Sequence, residues 1–196
     1  MSRLIETICI RNGEIRNLEF HQERMNRSRW KLSGLSNELN LNEFVMSKLP
    51  KEFQGKCRII YLEELESIEF LPYQIRPVQS VRLVENNEVD YSYKFEDRSV
   101  FEQMKDSVTE DEIIIVKNGQ ITDSSYSNLV FFDGENWITP RSFLLNGTMR
   151  QSLLKSGKII EEEVNPKDLN RFHSFKLINA MMNLEESPEL DVSIIV

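Results

Sequence analysis

Two short stretches hold side chains whose neighbours would alter their chemistry. In Asp90-Tyr91-Ser92-Tyr93-Lys94-Phe95-Glu96-Asp97-Arg98, Lys94 stands among aromatic residues. Apolar surroundings disfavour an ammonium ion and lower its pKa, which leaves a neutral amine ready to condense with a carbonyl. A lysine that lies over the rings with its charge in water has the same sequence, and both readings stand. In Asn146-Gly147-Thr148-Met149-Arg150, a glycine and a hydroxyl residue open the apolar helix pattern Ser152-Leu153-Leu154. The first N–H groups of a helix lack partners within it and sit at the positive end of its dipole, a setting that suits a phosphate or carboxylate. An ordinary turn and helix cap would also be written this way.

Other chemistries lack their residues. His21 and His173 lie in separate elements with no Glu or Cys at metal-ligand spacing, so no metal site is expected. No Gly-x-Ser-x-Gly turn supports a serine nucleophile, and the seven glycines form neither a Gly-x-Gly-x-x-Gly nor a P-loop.

The elements that must position these groups follow from pattern. Leu4 to Ile10, then Asn12-Gly13 and Glu14-Ile15, reads as a hairpin. Leu18 to Leu35 has helical spacing and stops at Ser33-Gly34, and a second helix over 41 to 49 is closed by Pro50. Strands are expected over 55 to 63, 67 to 75 and 81 to 84. The acidic segment Glu85 to Asp90 then connects two domains, 1 to 85 and 86 to 196. Past it come a helix over 98 to 108, a buried strand Glu112 to Val116, and a turn at Lys117-Asn118-Gly119-Gln120. The run Asn128 to Phe132 turns at Asp133-Gly134 and returns as Trp137-Ile138-Thr139 before Pro140. After the helix that Gly147 opens, a strand is expected over 158 to 164 and a short helix from Asn165-Pro166. Strands at 175 to 181 and 192 to 196 end the chain. Two α+β domains result.

Composition narrows the partners. A net charge of −8 over 196 residues argues against a nucleic-acid surface, which needs clustered Lys and Arg. The one local basic group, Arg24, Arg27, Arg29 and Lys31, reads as a solvated helix face. No apolar run is long enough for a membrane span or a signal-peptide core, so a cytoplasmic protein is expected. Cys9 and Cys57 sit in strand-like settings and read as reduced core residues.

Taken in order, these pieces resemble one family. Glu6-Thr7 precedes the Asn12-Gly13 turn, and His21-x-x-Arg24 follows. Next come Lys94-Phe95-Glu96-Asp97-Arg98, Ile121-Thr122-Asp123 with Asn128-Leu129, then Thr139-Pro140. Asn146-Gly147-Thr148-Met149-Arg150-Gln151 and Ile178-Asn179-Ala180-Met181 complete the series, which covers almost the whole chain. The set resembles the class IV, fold type IV aminotransferases, which use pyridoxal 5′-phosphate (PLP), and within them the 4-amino-4-deoxychorismate lyases.

The resemblance implies an α+β two-domain fold like that of the D-amino acid aminotransferases, with the cofactor between the domains and a homodimer completing the substrate entrance. It implies that Lys94 is the Schiff-base lysine and moves protons, that Arg24 binds the cofactor phosphate, and that backbone N–H groups at Gly147, Thr148 and Met149 hold the same phosphate. It assigns Asp123 to the ring nitrogen, Asn128 to the side of the ring and Arg98 to the phenolic oxygen. Asp123 departs from the glutamate usual in the family and is one methylene shorter. The chain reaches the Glu6-Thr7 strand almost at Met1, so a shortened N-terminal domain is expected. Ala180 resembles the lyases, because aminotransferases often carry a hydroxyl there. The implied activity converts 4-amino-4-deoxychorismate to 4-aminobenzoate and pyruvate, a step toward folate. The alternatives are transamination of a small or branched-chain amino acid, or an inactive relative.

Overall fold

The computed structural model describes residues 2–196. They form two compact units. One comprises residues up to Gln74 together with Tyr93–Asp97, and the other comprises Ile75–Ser92 and Arg98–Val196.

In the first unit, β1 (Leu4–Arg11) pairs with the short β2 (Glu14–Ile15) through Asn12 and Gly13. Both turn residues have positive φ, 52° and 74°, as a two-residue hairpin turn requires. β1 also pairs antiparallel with β3 (Gly55–Tyr61), which pairs with β4 (Leu65–Leu71), giving the order β2-β1-β3-β4. Helix α1 (Leu18–Ser33) starts after Asn17 and ends at Gly34, whose N–H returns to the Trp30 carbonyl. Its buried side consists of two rows with fourfold spacing, Phe20, Arg24, Ser28 and His21, Met25, Arg29. Helix α2 (Leu41–Met46) is capped by the Asn40 side chain, which accepts from the Glu43 N–H. Leu4, Ile8 and Ile10 of β1 meet Met25, Leu41, Val45, Cys57, Ile59 and Tyr61 in one core.

The expected solvated basic face is corrected here, because Arg24 and Arg29 are both buried. Arg29 donates to the carbonyls of Asn37 and Glu63, so its guanidinium holds two chain segments by their backbone oxygens. Arg27 and Lys31 face solvent as expected.

In the second unit, β5 (Val81–Glu85) runs parallel to β6 (Glu112–Lys117), with helix α3 (Ser99–Asp106) in the connection. The division therefore falls elsewhere than residue 86: a parallel partner draws β5 into the second unit. β6 turns through Asn118-Gly119 into β7 (Gln120–Ser124), followed by β8 (Asn128–Phe132) and β9 (Trp137–Pro140). Helix α4 (Thr148–Lys155) crosses over to β10 (Ile160–Glu162), parallel to β9. β11 (Ser174–Ile178) pairs along its whole length with β8 and also with β12 (Leu190–Asp191).

Two expected strands change. The one expected over 158 to 164 keeps only three residues. The one expected over 192 to 196 is a 3-10 turn, Val192–Ile194, begun by Asp191 accepting from the Ser193 N–H. A side chain that bonds the backbone two residues on competes with a ladder. Only Ile195 and Val196 reach β5, through Val196 N–H to the Val81 carbonyl. Among the described residues, no helix is long and apolar enough to cross a membrane, and no cluster of His, Cys, Asp and Glu could hold a metal ion.

Candidate active site

Within the first unit, Glu6 interrupts an otherwise apolar row. Positions 4, 8 and 10 of β1 belong to the core, and period-two alternation puts Glu6 on the same face with no exposure to solvent. Its carboxylate accepts three hydrogen bonds from α1. Arg24 donates through Nε to Oε1 at 2.8 Å and through Nη2 to Oε2 at 2.5 Å, and His21 Nδ1 donates to Oε2 at 2.6 Å. Burial by itself would raise the Glu6 carboxyl, but Arg24 and His21 outweigh it and bring it down to about 2. Burial lowers His21, aided by the charges of Arg24 and Lys94 and opposed by Glu6. A carboxylate only accepts, so a neutral His21 carries its proton on Nδ1. The fork between Glu6 and Arg24 fixes the guanidinium in one plane. Arg24 is thus an oriented cation, with Glu6 and His21 as supports.

Lys94 belongs to this unit because residues 93–97 lie along β1. The Ile5 N–H donates to the Lys94 carbonyl at 2.9 Å, the Glu96 N–H to the Arg3 carbonyl at 2.8 Å, and Phe95 bridges Leu4. The Phe95 N–H also returns to the Tyr93 carbonyl at 2.8 Å, making a three-residue turn with Lys94 at its apex. Tyr93 and Phe95 both pack on the core, their rings edge to face at 6.0 Å. Lys94, half-buried between these two aromatic residues in the chain, is the central residue of the turn.

In the second unit, Asp123 and Asn128 are the residue pair that joins β7 to β8. The sheet branches there, because β8 continues with β9 and β11. Asp123 is buried, and its Oδ2 accepts the N–H groups of Leu144 at 3.1 Å and Leu145 at 2.9 Å. Oδ1 accepts from Asn128 Nδ2 at 2.9 Å, and that same nitrogen donates to the Leu145 carbonyl at 2.9 Å. Burial pushes the Asp123 carboxyl up to about 7, against the pull of those three donors and of Arg150. A carboxylate oxygen has two acceptor positions, so Oδ1 keeps one for a further donor.

Gly147 is the N-cap of α4 and brings no capping side chain of its own. A Cβ on Gly147 would stand 2.1 Å from Asn128 Oδ1, so only glycine lets the amide and the helix approach this closely. Thr148 and Met149, the first two helical residues, are buried. Arg150 is also buried, donating to Asn146, the Pro140 carbonyl and Glu161, with its plane 4.7 Å from the Phe143 ring. It braces the loop between Pro140 and Asn146. Arg98 donates to the Tyr91 hydroxyl and to the Ser125 carbonyl, and lies over the rings of Tyr91 and Phe101. It therefore anchors the turn between Asp123 and Asn128.

The expected residues gather in two groups: Arg24 and Lys94 in the first unit, and Arg98, Asp123, Asn128, Gly147, Thr148 and Met149 in the second. Four contributors were missed by the residue-level reading. Glu6 and His21 entered only as parts of motifs, although an acid in the apolar row 4, 8, 10 is a signal for a buried ion pair. The amides of Leu144 and Leu145 carry no side-chain signal at all.

The model of the amino-transferase class IV family matches residues 58–184. An uncharacterized protein of Haemophilus influenzae is 39% identical over 188 residues, which span 94% of this chain and 100% of that one. Among solved structures, a candidate 4-amino-4-deoxychorismate lyase from Haemophilus somnus is 34% identical, with a TM-score of 0.85 over 94% of this chain and 98% of its own. A candidate amino-acid aminotransferase from Mesorhizobium loti shares the fold at 19% identity, with a TM-score of 0.83 and complete coverage of both chains. A hypothetical aminotransferase from Mycobacterium tuberculosis in its PLP-bound form does so at 18% identity, with a TM-score of 0.72 over 96% of this chain and 80% of its own.

Proposed function

The chain belongs to the amino-transferase class IV family, and on that premise we propose that it is a PLP-dependent lyase converting 4-amino-4-deoxychorismate to 4-aminobenzoate and pyruvate. The observation that carries the cofactor reading is Asp123, a buried carboxylate with one acceptor position left and a pKa raised to about 7. Such a group takes a proton-bearing ring nitrogen in place of a proton of its own. The start of α4 fits the other end of the cofactor, since Gly147 offers backbone and no side chain to an anion. The likeness to the Haemophilus somnus protein over almost both full lengths favours the lyase over transamination, and Ala180 agrees with it.

In this reading Lys94 holds the cofactor through its amine, Asp123 its ring nitrogen, and Asn128 the side of the ring. Arg98 serves the phenolic oxygen. Arg24 and the N–H groups of Thr148 and Met149 hold its phosphate. When bound, the cofactor would supply an electron sink for the carbon that carries the substrate's amino nitrogen. Once the substrate's amino group replaces it, the freed Lys94 amine would take the proton from that carbon and give one to the enolpyruvyl methylene carbon as the ether C–O bond breaks, leaving an aromatic amine and pyruvate. Asp123, ionised opposite a cation, keeps the ring nitrogen protonated throughout. Glu6 and His21 hold Arg24 against the pull of the phosphate. A cytoplasmic homodimer supplying a folate precursor completes the proposal.

Two measurements test it. Borohydride reduction with saturating PLP should leave a reduced adduct on the peptide containing Lys94, and none in Lys94→Ala; no adduct in the unaltered chain favours an inactive relative. Supplying 4-amino-4-deoxychorismate without a keto acid should release 4-aminobenzoate. Turnover of an amino acid that requires a keto acid, with no aminobenzoate formed, would select transamination instead.

A further inference from the structure

We infer that Asp123 also has a positioning role. Through Leu144 and Leu145 it holds the loop that leads into α4, so the group proposed for one end of the cofactor also positions the anion-holding helix start at the other. This rests on the proposed cofactor site. The geometry divides the carboxylate between the two roles. Oδ2 has both acceptor positions filled by the consecutive N–H groups of Leu144 and Leu145. Oδ1 takes one bond from Asn128 and has one position left. Asn128 closes the loop from the other side. Its nitrogen joins Asp123 to the Leu145 carbonyl, and its Oδ1 lies 2.1 Å from where a Cβ of Gly147 would stand. Three backbone positions just ahead of α4, Leu144, Leu145 and Gly147, are therefore set by two side chains at the branch of the sheet.

Side-chain length decides this arrangement. A carboxyl one methylene longer would carry its oxygens beyond the two amides. Asp at this position thus ties the loop tightly, and the departure from the family's glutamate gains a physical reason. Asp123 acts on the helix start through the loop and is a positioning residue there. Arg150 is the charged side chain that acts on it, from the first turn of α4, and it is itself bound to Asn146, Pro140 and Glu161.

Three variants of the full chain separate the two roles. Asp123→Asn keeps one oxygen for the two amides and loses the charge. Asp123→Ala loses both functions, and Asp123→Glu keeps the charge but misplaces the oxygens. Amide hydrogen exchange without cofactor reads the loop directly. The Leu144 and Leu145 amides should exchange roughly tenfold faster or more in Asp123→Ala and Asp123→Glu, and within about threefold of the unaltered chain in Asp123→Asn, as expected for loss of hydrogen bonds to a charged acceptor. Affinities for PLP and for pyridoxal, which lacks the phosphate, give the second readout. Asp123→Asn should weaken both in parallel, whereas Asp123→Ala should weaken PLP roughly tenfold more than pyridoxal. Unchanged exchange in both Asp123→Ala and Asp123→Glu overturns the inference; if the alanine variant does not fold, the glutamate variant alone decides. If the unaltered chain binds no PLP, the proposed function fails, while the exchange result still tells whether Asp123 holds the loop.

Discussion

Replacing Glu6 by glutamine tests the account of the first unit most severely, because the change is nearly isosteric and removes only the charge. The Glu6 carboxyl lies at about 2, against an ordinary 4.5. That difference of about 2.5 corresponds to about 3 kcal/mol of preference for the ionised form in the folded state. The folded value is depressed, so this stabilisation is fully present above about 4.5 and is lost as pH falls toward about 2. A glutamine side chain cannot supply it at any pH, and it leaves Arg24 as a buried cation without its counter-charge. Urea unfolding near neutral pH should therefore show a loss of about 3 kcal/mol in Glu6→Gln. The gap between the two proteins should close as pH falls through the window from about 4.5 to about 2. Adding Arg24→Met should make the double variant less damaged than the sum of the two single changes, by about 1 to 3 kcal/mol, because no unpaired charge then remains. A loss under about 0.5 kcal/mol, or a gap that stays constant from neutral pH to about 2, would refute the reasoning. In either case the three short hydrogen bonds would not hold an ionised carboxylate.

Two further outcomes concern the second unit. Gly147→Ala forces a Cβ to within 2.1 Å of Asn128 Oδ1; thermal or urea unfolding should show a loss of about 1 to 3 kcal/mol, with weaker PLP binding, and a fully stable variant would mean that the amide is not fixed against the helix start. Burial raises Asp123 from an ordinary 3.8 to about 7, so the contribution of its proton is complete below about 3.8 and is lost as pH rises through about 7. Relative to Asp123→Asn, the cofactor-free chain should lose about 4 kcal/mol across that window, and saturating PLP should flatten the slope; equal pH dependence in the two proteins would show that Asp123 is not desolvated.

Much of the fold is legible in local pattern. The Asn12-Gly13 and Asn118-Gly119 turns, the start of α1 before Leu18 and its end at Gly34, and the start of α4 after Gly147 all follow from residues whose own conformational preferences set the backbone. The pattern misled where a tertiary partner or a local side chain decided. Val192–Ile194 has strand composition, yet the Asp191 side chain turns it into a 3-10 segment. β5 looks like the end of the first unit, yet it pairs with β6, which lies beyond a whole helix. Arg29 has the composition of a surface residue, and only the carbonyls of Asn37 and Glu63 give it a reason to be buried.

The site divides along the same line. The sequence by itself determined which side chains are available: one lysine among aromatic residues, an arginine one turn beyond a histidine, an acid five residues ahead of an asparagine, and a glycine at a helix start. Only the tertiary structure decided their states. Glu6 is held ionised because α1 brings Arg24 and His21 over the one acidic position in the core row of β1. Asp123 is drawn the other way because burial desolvates it, and the three neutral amides that bond it, two of them from residues more than twenty positions away, offset this only in part. Composition and spacing name a carboxyl, but its charge is fixed by burial and by the donors that long-range folding sets around it.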